Sequence, residues 1–466
     1  MSPNAHIQEL DSGLGVIDVL RRFAGEDFLV LLDSAARIRA RDSRYTFLTA
    51  DPIETAEIDR CSYGDDPFAI PTQWQTRLSR KLPATAPPFC GGIAGLISYE
   101  VGHAFERLPR AQRDDLHTPV IAAGLFDWAI VWDHIEKSVR LWVLAVDDDR
   151  TAVNRRVEWV LTKLNTPAPE PSERHKGDTG SVLLDGHELE LRCDVRSNFS
   201  RDRYLKAVKE VIEYIRAGDI FQANLSQQLT AEWKGSAVDL YRGVRRQNPA
   251  PFCGLLQRGN FAVVSASPER FLRVSQGRFV ETRPIKGTRR RQRSPIANLF
   301  TSDALVASEK DRAENVMIVD LLRNDLSRVC RPGSVRVTGL CEIEMFETVQ
   351  HLVSTVVGEI ATGKNVWDLL AACVPGGSIT GAPKIRAMEI ITELEQTARG
   401  AYCGNLFYCG PQADFDSSIL IRTFTLKNGV LQFPVGGGIV ADSHPADEYE
   451  ETLHKASGML RVLDKS

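Results

Sequence analysis

Nowhere in the 466 residues do about 18 apolar residues follow one another, so no segment reads as a membrane-spanning helix. The opening MSPNAHIQELDSG is polar and lacks the basic start and apolar run of a secretory signal. An excess of one charge is also missing. Lys plus Arg number 57 against 61 Asp plus Glu, a net charge of −4. That balance gives no general pull toward nucleic acid or an anionic membrane. No CxxC pair occurs among nine scattered cysteines, an odd count. They read as reduced, mostly buried thiols of a cytosolic protein, not as a disulfide frame or zinc site. No internal period of 20–50 residues is present, which excludes solenoids and propellers.

What is present is ordinary globular composition, 43% hydrophobic and 25% charged. The length suits about three domains or one large body with two lobes. A Pro-rich, charged stretch at 165–198 cannot pack as regular structure throughout. It predicts a linker or surface loop between an N-terminal region, 1–164, and a C-terminal region, 199–466. Strand-like runs fill the first region: FLVLLD, RYTFLTA, GGIAGLISYE, GLFDWAIVWD and VRLWVLAVDD, with a helix over 151–164. In the second, Tyr204, Val208, Val211, Ile212 and Ile215 recur at helical spacing over 201–217. FQANLSQQLTAEW alternates like a strand, and residues 261–288 read as two or three strands. One long helix is expected over 303–328 and another from about 446. The pattern predicts an α+β fold with antiparallel sheets.

Three constellations could carry chemistry. Asp311 and Glu314 stand three apart on one face of a predicted helix, and Glu448, Glu451 and Lys455 form a second stripe. Solvated helix faces with a routine i,i+4 pair would explain both. A site for Mg²⁺, held by carboxylate oxygens and waters, would also explain them. Gly376-x4-Gly381 invites a phosphate-loop reading, which fails because Ala382-Pro383 replaces the required Lys-Ser/Thr. Pro383 suits a first helical turn, which would set Thr380 near free N–H groups. Gly436-Gly437-Gly438 follows the strand-like VLQFPV. It suits either a hinge or sheet corner, or close approach of backbone N–H groups to a carboxylate. Lys286 lies in RPIKGTRRRQR. It reads as a surface charge or, inside a positively charged site, as an amine nucleophile. Arg289, Arg290, Arg291 and Arg293 read as a solvated loop, since no interleaved aromatics support nucleic-acid binding.

SPERFL, PIKGT, AENVMIVDLLRNDLSRV, GGSITGAPKIRAMEII, YCGNLFY, SSILIRT and GGGIVADSHPADEYEETLHKA occur in that order over about 200–460. Together they resemble the chorismate-utilising enzymes, and most of all the branch that forms 4-amino-4-deoxychorismate for 4-aminobenzoate and folate synthesis. LLDSA at 31–35 resembles the family's tryptophan-pocket segment, which makes Ser34 a candidate contact for bound tryptophan. The resemblance implies two intertwined lobes in an α/β/β/α sandwich. It implies that Glu314 and Glu451 hold Mg²⁺, with Asp311 and Glu448 supporting through water. Tyr402, Arg422, Lys455 and the Gly437–Gly438 backbone would hold the substrate's carboxylates, Thr380 would line the pocket and His351 would sit near the ring. Glu269 would be the general acid at the C4 hydroxyl, and Lys286 the nucleophile at C2.

Two positions separate reactions within the family. Anthranilate and isochorismate enzymes resemble PIAGT or PLAGT, with alanine where this chain has Lys286. Water-adding relatives carry a lysine base where Gln222 stands, so Gln222 argues against isochorismate or salicylate formation. No Gly-x-Cys-x-Gly glutaminase segment is present, so ammonia is expected from glutamine through a separate amidotransferase subunit. No segment resembling a pyridoxal-phosphate lyase is recognisable either. The competing readings are an anthranilate synthase large subunit and an inactive tryptophan-binding regulatory subunit.

Overall fold

The computed structural model describes residues 5–36, 43–78, 81–169, 180–184, 187–191, 193–291, 294–345 and 349–464. Arg293, and the part of the expected boundary segment at 170–179, lie outside them. Two large antiparallel sheets dominate. The first has twelve strands, in the order Ala5–Leu10, Ser138–Leu144, Trp128–Asp133, Tyr45–Ala50, Phe28–Asp33, Phe252–Arg258, Phe261–Ser267, Thr423–Lys427, Val430–Ile439, Gln222–Glu232 and Arg196–Ser197. The two-residue strand Gly381–Ala382 also pairs with Gln222–Glu232. The second has ten, in the order Ile285–Arg290, Val349–Glu359, Phe279–Thr282, Arg270–Ser275, Phe415–Ile419, Asn405–Cys409, Gly92–Ile97, Ile121–Phe126 and Glu54–Ile58, with Arg336–Met345 on Val349–Glu359. Both sheets mix strands from before 165 with strands from after 198. Between those points the described backbone holds a hairpin of Gly180–Leu184 and His187–Leu191.

Layering follows from which side chains share a core. Phe28 and Val30 pack with Leu96, Ala122, Leu272 and Phe407 of the second sheet, whereas Leu29 and Leu31 face the opposite way. There they meet Val19, Leu20, Leu240 and Val244 from the helices Val16–Arg22 and Ala237–Gln247. A strand buried on both faces reads as a continuous apolar run, as FLVLL does. Burial of both faces is the signature of a sandwich closed by outer helices.

Several sequence expectations are refined. GLFDWAIVWD is two strands, Ile121–Phe126 in the second sheet and Trp128–Asp133 in the first, and the chain changes sheet at Asp127. Residues 261–290 form four strands. The expected helix at 303–328 is two helices, Pro295–Ala307 and Glu309–Ser327. Ser308 breaks it with extended backbone and accepts a hydrogen bond from the Asp311 N–H. Gly436–Gly438 is no hinge. It lies inside the strand Val430–Ile439, paired with Gln222–Glu232. None of the nine cysteines is in a disulfide, and eight are buried. Among the described residues no helix is long and apolar enough to cross a membrane.

Candidate active site

The chain crosses between the sheets twice at one corner. Phe261–Ser267 belongs to the first sheet and Arg270–Ser275 to the second, so Pro268 and Glu269 make the first crossing. Phe415–Ile419 and Thr423–Lys427 make the return, with Arg422 at the turn in a left-handed conformation. Backbone bonds tie the crossings together: Ile419 N donates to Glu269 O at 3.1 Å, and Ala266 N to Arg422 O at 3.0 Å. A carboxyl and a guanidinium are thereby carried into the space between two sheets.

Glu269 is buried, and burial pushes its carboxyl up to about 7, against the Lys286 charge and hydrogen bonds from Ser378 and the Ile285 backbone. Lys286 enters from the edge strand Ile285–Arg290, and its Nζ donates to Ser378 O at 3.2 Å. The ladder with Val349–Glu359 shifts register between Lys286 and Thr288. That bulge needs Gly287, whose φ is 77° and where a Cβ would lie 3.0 Å from Asp311 Cγ. His351, one strand in, is buried. Burial first, and the Arg422 charge second, lower its pKa to about 3, so the ring is neutral. Burial also lowers the Arg422 pKa, and no carboxylate pairs with it among the described residues.

The acidic helices converge opposite Lys286. Glu314, on Glu309–Ser327, has a raised pKa. Burial is the main cause, Asp311 and Glu448 add to it, and Lys286 and Lys310 oppose it. On the helix Pro445–Leu460, the protein packed around Glu451 works to raise its pKa. Lys455, at 2.7 Å, outweighs that with help from Lys310 and Lys286, so the net shift is downward. Glu448 is buried on this helix, not part of a solvated stripe. It accepts from Ser443 Oγ at 2.6 Å and lies 3.6 Å from Lys310 Nζ. A Cβ placed on Gly437 would sit 3.4 Å from Glu448 Oε2, 3.5 Å from Lys455 Nζ and 3.6 Å from Glu451 Oε1. That strand position therefore opens onto a small space ringed by oxygen and ammonium groups. Lys455 also donates to Gly436 O at 2.9 Å.

Among the described residues no three His, Cys, Asp or Glu side chains form a metal-holding cluster. Glu314 has the like charges of Asp311 and Glu448 near it, which a cation would relieve, and Glu451 feels the same two lysines, Lys286 and Lys310. Oxygen donors suit Mg²⁺, which keeps several waters and shares its shell with an anionic ligand. Asp311 is turned toward Arg289, 2.9 Å away; Arg289 is exposed, as its sequence context suggests, but it stands on the strand Ile285–Arg290 and not in a loop.

Thr380 closes the short helical turn Gly377–Ile379 and stands four residues ahead of the helix Lys384–Glu395, where Pro383 is the extended N-cap residue and not part of the first turn. It is fully buried, its Oγ1 donates to Gly376 O, and its carbonyl accepts from Asn224 N at 2.8 Å. Gln222 sits beside Gly438, where a Cβ would come within 2.0 Å of Gln222 Nε2. Tyr402 is buried, and burial, then the Cys403 thiol, keeps its hydroxyl protonated. Its segment is held by Arg399, whose guanidinium also reaches Ile379 O, Asn224 O and Glu395. Ser34 stands apart from this assembly. It lines a separate cavity of about 380 Å³ with Tyr45, Phe47, Arg270, Tyr408 and Asp416. Sequence reasoning missed Lys310, Ser378 and Asn224. Lys310 was legible as a cation flanking Asp311, but Ser378 meets Lys286 through its backbone carbonyl, which no side-chain pattern reveals.

A model of the chorismate binding enzyme family matches residues 30–461. Aminodeoxychorismate synthase component 1 of Klebsiella aerogenes is 42% identical over 81% of this chain and 78% of its own. The Escherichia coli K12 protein of the same name is 38% identical over 91% and 90%. Anthranilate synthase component 1 of Thermus thermophilus is as similar, 39% over 91% and 87%. Among solved structures, anthranilate synthase component I from Streptococcus pneumoniae superposes with a TM-score of 0.77 at 30% identity, covering 91% of this chain and 93% of that one.

Proposed function

This chain belongs to the chorismate binding enzyme family, and within it we propose that it is the component that aminates chorismate at C4, giving 4-amino-4-deoxychorismate. Overall similarity does not separate this reading from anthranilate synthesis, because relatives of both names match equally well. The observation that carries it is local. Lys286 and Glu269 meet at Ser378, one offering an amine and the other a carboxyl that still holds its proton near neutral pH.

Displacing a hydroxyl by direct attack at C4 faces a poor leaving group, and an allylic detour divides the step. The neutral Lys286 amine attacks C2, the ring double bonds shift, and the C4 hydroxyl leaves as water with the Glu269 proton. The ammonium formed on Lys286 returns a proton to Glu269. Ammonia then attacks C4, the double bonds shift back, and Lys286 departs with the proton that the new C4 ammonium gives up. The sum is chorismate plus ammonia giving aminated product plus water.

Arg422 suits bidentate recognition of a carboxylate. Lys455, Tyr402, Thr380 and the Gly437–Gly438 backbone complete the substrate contacts, and His351 faces the ring as a neutral donor or acceptor. Glu314 and Glu451 would hold Mg²⁺, with Asp311 and Glu448 behind them. When bound, the ion neutralises the ring carboxylate. Ammonia is supplied by a separate glutamine amidotransferase subunit, and the free thiols fit a reducing cytoplasm. Bound tryptophan belongs in the Ser34 cavity, where the walls of Tyr45, Phe47 and Tyr408 suit an indole.

Incubating the purified chain with chorismate, Mg²⁺ and ammonium chloride, and identifying the product by mass, tests the reading. 4-Amino-4-deoxychorismate is expected. Anthranilate with pyruvate would mean the anthranilate reaction, and no turnover a regulatory subunit. Chorismate without ammonia should leave a covalent adduct on the peptide containing Lys286, absent from Lys286→Ala.

A further inference from the structure

The strand Gln222–Glu232 turns Ala223 and Leu225 into an apolar cluster with the helices Arg201–Arg216 and Lys384–Glu395. Gln222, Asn224 and Ser226 occupy the opposite face. Ser226 is fully engaged, since its N–H and Oγ both donate to Glu395 Oε1 at 2.8 Å. Its two neighbours are not. Gln222 Oε1 and Asn224 Oδ1 are buried with no hydrogen-bond partner, in side chains 1% and 9% exposed. Two orphan acceptors two residues apart are costly unless something else meets them.

Their surroundings are those of the candidate site. Asn224 is paired with Gly438 in the sheet, Gln222 packs on Gly438, and Asn224 N bonds to Thr380 O. Thr380 lies two residues from Ser378, the meeting point of Lys286 and Glu269. The substrate's carboxylates need donors, which Arg422, Lys455 and backbone N–H groups can supply. Among the reactants, ammonia needs acceptors for several N–H bonds at once, with its lone pair left free.

We propose that Asn224, together with Gln222, holds the incoming ammonia through its amide oxygen and aims the lone pair at the reacting ring carbon. This rests on the amination reading above. A neutral acceptor has a purpose there: a carboxylate would favour ammonium, which has no lone pair to donate, whereas an amide oxygen does so far less. Asn224 makes no covalent bond. The surplus proton of the new C4 ammonium leaves with Lys286, as described.

The test uses the purified chain with Mg²⁺, chorismate and varied ammonium chloride. In Asn224→Leu the apparent KM for ammonium should rise about tenfold, the loss of one good hydrogen bond. The KM for chorismate and the rate of Lys286 adduct formation without ammonia should stay where they were. In Asn224→Asp, which keeps the shape and adds a charge, the ammonium-dependent rate should shift to higher pH while adduct formation does not. If chorismate KM rises alongside that for ammonium, or adduct formation slows, Asn224 serves chorismate or the fold, and the proposal is overturned. Unchanged ammonium dependence in both variants would overturn it too. A parent chain that forms neither adduct nor aminated product would instead remove the amination reading, and this proposal with it.

Discussion

Lys286 and Glu269 share one residue. The lysine Nζ donates to the Ser378 carbonyl at 3.2 Å, and the same serine hydrogen-bonds the glutamate carboxyl. An edge-strand bulge delivers the first and a sheet-to-sheet crossing the second. Carboxyl and amine are therefore fixed by two different backbone irregularities, with the turn Gly377–Ile379 between them.

Glu269 gives a pH dependence with a definite sign. Its carboxyl is pushed up to about 7 by burial, and the general acid is competent only when protonated. Adduct formation from chorismate should therefore fall as pH rises through about 7. Rapid-quench mass spectrometry on both sides of that value should show the falling limb in the parent. Glu269→Gln should be very slow at every pH, with the limb gone.

Removing the cation site should cost most of the turnover. With Glu314 crowded by Asp311 and Glu448, and the substrate bringing more negative charge, the pair has little use without a cation. Glu314→Gln and Glu451→Gln should each lose well over about tenfold in kcat/KM while the circular dichroism spectrum is unchanged. Full activity of the parent in excess EDTA would contradict the Mg²⁺ assignment.

The nitrogen source is testable without any substitution. The chain alone should use ammonium chloride but not glutamine. Adding a separate glutaminase subunit should confer glutamine use. Efficient glutamine-dependent synthesis by the chain by itself would refute the two-component reading.

His351 links stability to pH. Burial, then Arg422, lowers its pKa to about 3 in the folded chain, against about 6.5 when unfolded. Between those values the unfolded chain binds the extra proton, so this residue's contribution to stability falls as pH drops below about 6.5. Urea midpoints at about pH 7.5 and about pH 5 should differ less in His351→Gln than in the parent.

Much of the architecture was legible because sheet cores leave plain traces in a sequence. Phe28–Leu32 reads as a strand since both its faces are buried, and Tyr204 to Ile215 as a helix since one face is. Where two elements abut with no polar break the trace fails. Asp127 alone separates strands of different sheets, and Ser308 alone separates two helices, although Ser-x-x-Asp ahead of an acidic turn is a capping signal. Carboxylate spacing on the two helices did not distinguish a cation site from solvated faces, and only the resemblance carried by the ordered motifs implies one. Asn224 was visible only as an alternating strand residue, because its missing partner is a property of three dimensions.

Sharing each sheet between early and late strands sets a timetable for synthesis. Gly92–Ile97 leaves the ribosome with one long edge open, and the strand that covers it, Asn405–Cys409, comes some three hundred residues later. At roughly 5–20 residues per second that is a wait of about a quarter-minute to a minute. Phe28–Asp33 waits in the same way for Phe252–Arg258. During translation the nascent chain thus carries two apolar, unpaired strand edges. A slowed ribosome or a scarce chaperone should lower the yield of this protein while the chain is still unfinished.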